Sequence, residues 1–348
     1  MTVDVHPVAW WLWSIGLAAY ASFTTNPYLL GLAIVTSGLV VAACRGDQPW
    51  ARSYRLYVGL GVVIVVVRVI FRVIFSSMPD GHVLIDLPQI PMPHWAQGIT
   101  LFGPVTSESL MAGFEDGLRL ATIVICLGAA NALANPKRLL RSLPSALYEV
   151  GTALVVAVTF LPQLAESVQR VRRAQQLRAD VGRRHQRVRR ILVPVLEDAL
   201  ERSMSLAAGM DTRGYGRTGD VSQGRRRITG TLLIAGLMGM TAGTYGILDT
   251  TAPRWLAGPM VIGGAVLAFG GLWLSGRTVG GTVYRPHPWG WREAVVIAAG
   301  VAVGAAGWWL SAHSVDVAYP DVIGAPRVTL PALIVLVGLV PAMVGRRA

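Results

Sequence analysis

Long apolar runs alternate with short polar connections along most of this chain. A helix needs roughly 20 mostly apolar residues to cross a bilayer, and eight segments approach that length. These predicted spans are Val8–Thr25, Tyr28–Cys44, Tyr54–Phe75, Gly117–Ala134, Ile228–Leu248, Trp255–Leu274, Ala294–Ala312 and Val328–Val344. Asn26-Pro27 predicts a tight turn between the first two. The pattern therefore predicts an all-α membrane protein with about eight transmembrane helices.

The central segment 135–227 interrupts this pattern. It contains two helical runs, Leu147–Arg178 and Ile191–Met210, joined by the basic turn Gly182–Arg190. The second run is amphipathic, because Glu197, Glu201 and Arg202 lie off an apolar stripe with helical spacing. That stripe consists of Leu192, Leu196, Leu200, Ser203, Ala207 and Met210.

One apolar run in this segment, Ala146–Leu161, could be taken for a ninth span. It is short, carries Glu149 and ends at Pro162. A crossing there would also move the basic turn to the outer side, against the positive-inside rule. We therefore interpret the run as a buried or interfacial helix, and 135–227 as one cytoplasmic insertion.

The distribution of arginine predicts the orientation of the spans. With both termini cytoplasmic, the inner connections hold the basic central segment and eight further arginines: Arg45, Arg52, Arg55, Arg277, Arg285, Arg292, Arg346 and Arg347. The outer connection Ser76–Gly117 contains no lysine or arginine; it is rich in proline, so we expect irregular structure there. The rule thus predicts spans one to four in 1–134, the cytoplasmic insertion in 135–227 and spans five to eight in 228–348.

Composition supports the same class. The chain of 348 residues is 53% hydrophobic and 14% charged, whereas soluble domains carry about 25% charged residues. The formal net charge of +12 could suggest nucleic-acid binding, but no aromatic platform for stacking bases accompanies the basic turn. We interpret that turn as a contact with anionic lipid or as a solvated segment.

Charged residues also occur near membrane depth. Arg68 and Arg72 are four apart in the third span, and Glu115 and Asp116 open the fourth. Such residues usually face the bundle interior and pair with one another, so Arg68 or Arg72 should pair with Glu115 or Asp116. The alternative is that the arginines extend towards the outer headgroups.

Two arginine signatures end the central helical runs. The first run closes with Arg-Ala-Gln-Gln-Leu-Arg-Ala at Arg173–Ala179, which places Ala174 and Arg178 on one helix face. The second closes with Ala-Ala-Gly-Met-Asp-Thr-Arg-Gly-Tyr at Ala207–Tyr215, where Gly214 should end the helix as a left-handed cap. A small residue beside an arginine lets a partner approach closely and meet the guanidinium.

Together these signatures resemble the transmembrane (T) component of energy-coupling factor transporters, the family that includes the cobalt-transport permeases. The residues that match its two motifs are Ala174, Arg178, Ala179, Ala208, Met210, Arg213 and Gly214. Ala179 stands where the family usually has glycine. The resemblance extends from about His6 to Leu248 and includes His6-Pro7 and Asn135-Pro-Lys-Arg-Leu-Leu. The last three spans lie beyond it, and we interpret them as an extension.

The resemblance implies a multi-pass scaffold in the cell membrane with a cytoplasmic coupling region. In that family the T component joins two cytoplasmic ABC ATPases to a separate membrane subunit that binds the vitamin or transition-metal ion. The arginines of two coupling helices sit in grooves on the ATPases. The resemblance therefore implies two ATPases, a substrate-binding subunit and lipid as partners, with no nucleic acid, catalytic residue, cofactor or bound metal.

Two other function classes stay open. The chain has no Walker motif, metal-ligand cluster or nucleophile–base pair. A self-sufficient secondary transporter would need paired acids in the middle of the bilayer, and an integral membrane enzyme would need a cluster of His, Asp or Glu at an interface. The sequence does not identify the transported substrate.

Overall fold

The computed structural model describes residues 5–46, 53–75, 82–88, 90–91, 100–141, 148–177, 184–214, 223–249, 254–276, 289–321, 324 and 326–344. Its helices are α1 (Pro7–Ser22), α2 (Pro27–Cys44), α3 (Tyr54–Ile74), α4 (Ser107–Leu133), α5 (Pro136–Arg141), α6 (Tyr148–Leu177), α7 (Arg184–Thr212), α8 (Gln223–Leu248), α9 (Arg254–Gly276), α10 (Trp291–His313), α11 (Val315–Ala318) and α12 (Val340–Val344). A 3-10 helix, Leu330–Leu339, precedes α12 and continues into it. The predicted all-α membrane class is confirmed.

The predicted turn between α1 and α2 is confirmed and has a second role. The Asn26 side chain accepts a hydrogen bond from the N–H of Tyr28 and so caps α2, and Pro27 occupies the first helical position. The Asn26 amide also donates to the carbonyl oxygens of Val317 and Arg327, each at 3.0 Å. The turn therefore anchors the segment that leads into the last helix.

The outer connection between α3 and α4 is not wholly irregular, which corrects the prediction. Strand β1 (Val83–Asp86) pairs antiparallel with β4 (Pro104–Thr106), and β2 (Ile90–Pro91) pairs with β3 (Thr100–Leu101). The proline content misled the prediction, because ladders this short need few backbone N–H donors. Helix α4 starts at Ser107, well before the predicted Gly117.

The described residues within Met1–Leu139 and Pro286–Ala348 form one compact unit, with α1 at its centre. Trp13 and Tyr20 of α1 are fully buried. The Trp13 indole N–H donates to the carbonyl oxygen of Gly338 at 3.0 Å, and the Tyr20 hydroxyl donates to that of Ala332 at 2.9 Å. The last helix, which comprises the 3-10 helix Leu330–Leu339 and α12, lies beyond the family resemblance. It therefore completes the core that the N-terminal helices begin.

Helix α10 packs against α1 through glycines that bring the two backbones into contact. A β-carbon on Gly16 would overlap the carbonyl group of Gly300, and one on Gly307 would lie 2.8 Å from the α-carbon of Tyr20. Small residues permit this close approach between membrane helices. Because the contacts advance in the same order along both helices, α1 and α10 run parallel.

Helix α4 runs in the opposite direction to α1. The Ser14 hydroxyl donates to the Cys126 carbonyl oxygen, and the Arg119 guanidinium donates to the Ser22 carbonyl oxygen. The contacts move backwards along α4 as they advance along α1, so the pair is antiparallel. Helix α4 therefore ends on the side of the unit where α1 and α10 begin.

The second compact unit comprises the described residues within Leu140–Arg285. In it α8 and α9 form a tight pair, because a β-carbon on Gly236 would lie 2.6 Å from the backbone nitrogen of Ala268. On the other helix, a β-carbon on Gly264 would lie 2.6 Å from the backbone nitrogen of Met240. Helices α6 and α7 of this unit also contact each other.

Six of the described helices are long and apolar enough to cross a membrane, judged by length and composition: Pro27–Cys44, Tyr54–Ile74, Val150–Leu177, Arg227–Leu248, Trp255–Leu274 and Trp291–His313. Five of them match predicted spans. A sixth predicted span, Val328–Val344, corresponds to the shorter apolar helix Leu330–Val344, and α1 and α4 correspond to the remaining two. Val150–Leu177 overlaps the run interpreted as interfacial, so that interpretation stays a prediction.

Candidate coupling site

Helices α6 and α7 contact each other over only a short part of their described lengths, so they cross rather than run side by side. The Ser167 hydroxyl on α6 donates a hydrogen bond to Oδ2 of Asp198 on α7, with 2.7 Å between the two oxygens. Ser167 is 3% exposed and Val195 is 8% exposed, and these are the buried side chains of the described parts of α6 and α7. Asp198 lies at the middle of α7, and Ser167 lies closer to the C-terminal end of α6 than to its start, so each helix extends as an arm on both sides of the crossing.

The carboxylate of Asp198 has a partner on each oxygen. Oδ1 accepts a hydrogen bond from Nε of Arg202, one turn later on α7, at 2.9 Å. Hydrogen bonds to the charged form favour it, so the bonds from Ser167 and then from Arg202 hold the pKa of Asp198 below its ordinary value. The two bonds also fix the orientation of the carboxylate towards α6.

The first arginine signature is described only in part. Ala174 lies on the surface of α6 and is exposed, as is the neighbouring Arg173. Arg178 and Ala179 lie outside the described residues. The accessible surface at Ala174 has the small side chain that the motif requires, and the position of its arginine stays a prediction.

The second signature closes α7 as the sequence predicts. The helix ends at Thr212, and Gly214 adopts a φ of 75°, the left-handed conformation expected of a glycine cap. Ala208 and Arg213 are exposed, and Met210 is half-buried. The guanidinium at the helix C-terminus and the small surface beside it are therefore accessible to a partner.

The two signatures lie on opposite sides of the crossing. The six-residue connection between α6 and α7 can reach at most about 24 Å, so the helix ends that it joins lie on the same side. Ala174 lies on that side, and Arg213 lies at the far end of α7. At about 1.5 Å per residue, Ala174 lies about 10 Å from Ser167 along α6, and Arg213 lies about 22 Å from Asp198 along α7. The two signature residues are therefore up to about 33 Å apart along the helix pair.

The predicted apolar stripe of α7 is exposed for most of its length. Leu192, Leu196 and Leu200 all have more than half of their surface exposed, up to 64% at Leu200. Asp198, which bonds Ser167 of α6, and the buried Val195 lie on a different face of α7 from these leucines. The stripe therefore remains available for lipid or for another protein.

The basic turn is shorter than the sequence predicts. Helix α7 begins at Arg184, so most of the predicted turn Gly182–Arg190 is helical. Arginine has good helix propensity, and this run contains neither glycine nor proline after Gly182. Arg189 and Arg190 are exposed on the first turns of α7.

Away from the crossed helices, two arginines of α3 share one carboxylate of α4. Nη2 of Arg68 and Nη2 of Arg72 lie 3.6 and 3.5 Å from Oδ2 of Asp116. Glu115 is buried, and the described part of the chain supplies no ion pair or hydrogen bond to its carboxylate. The structure therefore brings both arginines to Asp116 and neither to Glu115.

Sequence analysis missed Ser167 and Asp198. Ser167 lies between two runs of mixed polarity, and Asp198 lies off the apolar stripe beside Glu197, so each resembles an ordinary solvated residue. A weak signal existed, because Asp198 and Arg202 have the i,i+4 spacing of a helical ion pair. Nothing in that spacing indicates that α6 supplies the second donor.

Comparisons with known proteins support the resemblance. The model of the family described as "Cobalt transport protein" (CbiQ) matches residues 4–223, which include both signatures. Two curated relatives are each described as "Energy-coupling factor transporter transmembrane protein EcfT". The one from Exiguobacterium sibiricum is 30% identical over 159 residues, covering 36% of this chain and 59% of the relative. The one from Macrococcus caseolyticus is 26% identical over 127 residues, covering 32% and 48%. The chain thus spans about half the length of these relatives.

Proposed function

Because this chain belongs to the cobalt transport protein family, we propose that it is the transmembrane coupling subunit of an energy-coupling factor importer. In this proposal two cytoplasmic ABC ATPases dock on α6 and α7. A separate integral membrane subunit binds the vitamin or transition-metal ion. The chain transmits the conformational change of the ATPases to that subunit and carries out no chemical step itself.

The placement of the two signatures supports this function most directly. Ala174 and Arg213 lie on opposite sides of the Ser167–Asp198 crossing, up to about 33 Å apart along the pair. Two sites so far apart suit two separate ATPase subunits better than a single small ligand. A rigid crossed pair would also transmit a movement at one end to the other end.

The directions of the helices support a cytoplasmic position for α6 and α7. Helix α4 ends on the side where α1 and α10 begin, so the chain between α4 and α10 crosses the membrane an even number of times. Helix α7 is not among the candidate spans in the described residues. If α8 and α9 both cross, a further crossing by α6 would therefore make the number odd, so α6 does not cross. The stretches between the described helices are too short to cross. Together with the arginine distribution, this favours the insertion that the sequence predicts.

Charge reversal at the signatures tests the proposal. The tagged full chain, co-expressed with the ABC ATPases of its host, is compared with Arg178→Glu, Arg213→Glu and the double variant. Removing one side of a hydrogen-bonded charge pair costs about 2–5 kcal/mol, roughly 30-fold to several-thousand-fold in affinity. Each single variant should therefore reduce ATPase co-purification, and the double variant should abolish it.

Arg189→Glu is the matched control, since it reverses an exposed arginine on the same helix pair away from both signatures. Exposed pairs contribute about 0–1 kcal/mol, so this variant should co-purify with the ATPases nearly as the wild type does. Membrane insertion of all variants is measured in parallel. If the double variant inserts into the membrane and still co-purifies with the ATPases at the wild-type yield, the proposal is refuted.

A further inference from the structure

We propose that the hydrogen bond between Ser167 and Asp198 is the pivot that sets the angle between α6 and α7, and hence the separation of the two signature ends. Ser167 and Asp198 are then positioning residues, because they act through the helices that carry Ala174 and Arg213. The functional consequence rests on the proposed function, since the separation matters only if the two ends engage separate ATPases.

The burial of the crossing supports this role. Ser167 is almost completely buried, and Val195, which precedes Asp198 by about one turn of α7, is buried as well. Elsewhere in the described parts of α6 and α7 the side chains are half-buried or exposed. The side chains described in the two helices therefore form no broad interdigitated apolar interface of the kind that normally sets a crossing angle. The angle depends instead on a small contact that contains one short, directional hydrogen bond.

The orientation of Asp198 adds to the rigidity of this contact. Arg202 holds Oδ1 while Ser167 holds Oδ2, so rotation of the carboxylate would break one of the bonds. Arg202 belongs to α7, so its bond to Asp198 lies within one helix. Among the described residues, Ser167 supplies a hydrogen bond across the crossing, and the positive charge of Arg170 on α6 also favours the Asp198 carboxylate. Arg202 supports the same carboxylate from within α7.

The long arms amplify any change at the pivot. Helix packing angles scatter by about 15–20° within one packing class. On an arm of about 22 Å, such as that from Asp198 to Arg213, a change of about 15° moves the end by about 6 Å. Two ATPases held at fixed positions would be sensitive to such a displacement, so coupling requires a defined angle.

Pulsed electron–electron double resonance on the full chain measures a distance between two spin labels that depends on the crossing angle. Spin labels are attached to Leu154→Cys on α6 and Thr212→Cys on α7, in a protein that lacks Cys44 and Cys126. Both label sites are exposed, and both lie on arms that diverge from the crossing on the same side. The distance between them therefore responds strongly to the crossing angle. The wild-type background should give one narrow distance distribution.

Variants of Ser167 separate the hydrogen bond from the shape of the side chain. Ser167→Ala should shift the mean distance by about 5 Å or broaden the distribution comparably. Ser167→Thr keeps the hydroxyl and should retain the narrow distribution, whereas the nearly isosteric Ser167→Val should behave like Ser167→Ala. Ser203→Ala is the matched control, because the Ser203 hydroxyl bonds only the Leu200 carbonyl of its own helix.

If Ser167→Ala does not fold, the comparison of Ser167→Thr with Ser167→Val still decides the question. Identical narrow distance distributions for Ser167→Thr and Ser167→Val would overturn the proposal that this hydrogen bond is the pivot. The measurement uses this chain without ATPases, so its failure is distinct from failure of the proposed function, which charge reversal at Arg213 tests. A shifted angle in Ser167→Val with unchanged ATPase co-purification would limit the pivot to architecture and overturn its role in coupling.

Discussion

Gly16 of α1 and Gly300 of α10 are in direct backbone contact. A β-carbon on Gly16 would overlap the Gly300 carbonyl, and one on Gly300 would overlap the α-carbon of Trp13. This contact joins the first predicted span to the seventh, although the matched family region ends at residue 223. Helix α10, which lies beyond the family match, is therefore part of the same packed core as the N-terminal helices.

Substitution of these glycines should destabilise the bundle. Gly300→Ala places a methyl group against backbone atoms, which cannot move aside as a flexible side chain can, and overpacking typically costs about 1–3 kcal/mol. We expect a lower thermal unfolding temperature in detergent. Gly31→Ala is the control, because a β-carbon there meets nothing within 4 Å and alanine favours helix. Equal stability of the two variants would contradict the backbone contact.

Removal of the C-terminal helices should unfold the N-terminal bundle. Truncation after residue 285 removes α10 and the last helix, and with them the carbonyl oxygens that Trp13 and Tyr20 bond. Two buried donors would then lack partners, at about 1–3 kcal/mol each, in addition to the lost packing. We expect rapid proteolysis of the truncated chain in membranes. Co-expression of 286–348 as a separate fragment should restore resistance, and a resistant truncated chain alone would contradict the prediction.

Asp116 should matter more than either of its arginine partners. Asp116→Asn leaves two guanidiniums near membrane depth without their shared carboxylate, whereas Arg68→Gln leaves Arg72 still paired. Arg68 is also more than half exposed, so solvent reduces its contribution. Thermal unfolding should rank Asp116→Asn as the least stable variant. The double variant Arg72→Gln/Asp116→Asn should regain part of the loss, and a further loss would argue against the shared pair.

The proposed topology, in which α8 and α9 cross the membrane and α6 does not, predicts the sides of two exposed positions. In a chain without Cys44 and Cys126, a cysteine at Leu84 in β1 should react with a membrane-impermeant maleimide in intact cells. A cysteine at Ser205 in α7 should react only after permeabilisation. If α6 crossed the membrane, Ser205 would lie outside and label in intact cells. Mass shifts on a gel distinguish these outcomes.

The sequence by itself determined the features that depend on local chemistry. Transfer of an apolar run into lipid depends on its own residues, so the helices and the membrane class could be predicted from hydropathy. The Asn26 turn and the Gly214 cap follow from the conformational preferences of single residues. The second signature was recognisable because its residues are contiguous.

Tertiary structure decided the contacts between residues that are distant in the chain. Glycine has no side chain to mark its partner, so nothing in the sequence pairs Gly16 with Gly300. The choice of Asp116 over Glu115 depends on which face of α4 meets α3. Ser167 and Asp198 meet only because two long helices contact each other there. Hydrophobic periodicity records which face of a helix is apolar, but the partner and the angle of packing come from shape complementarity in three dimensions.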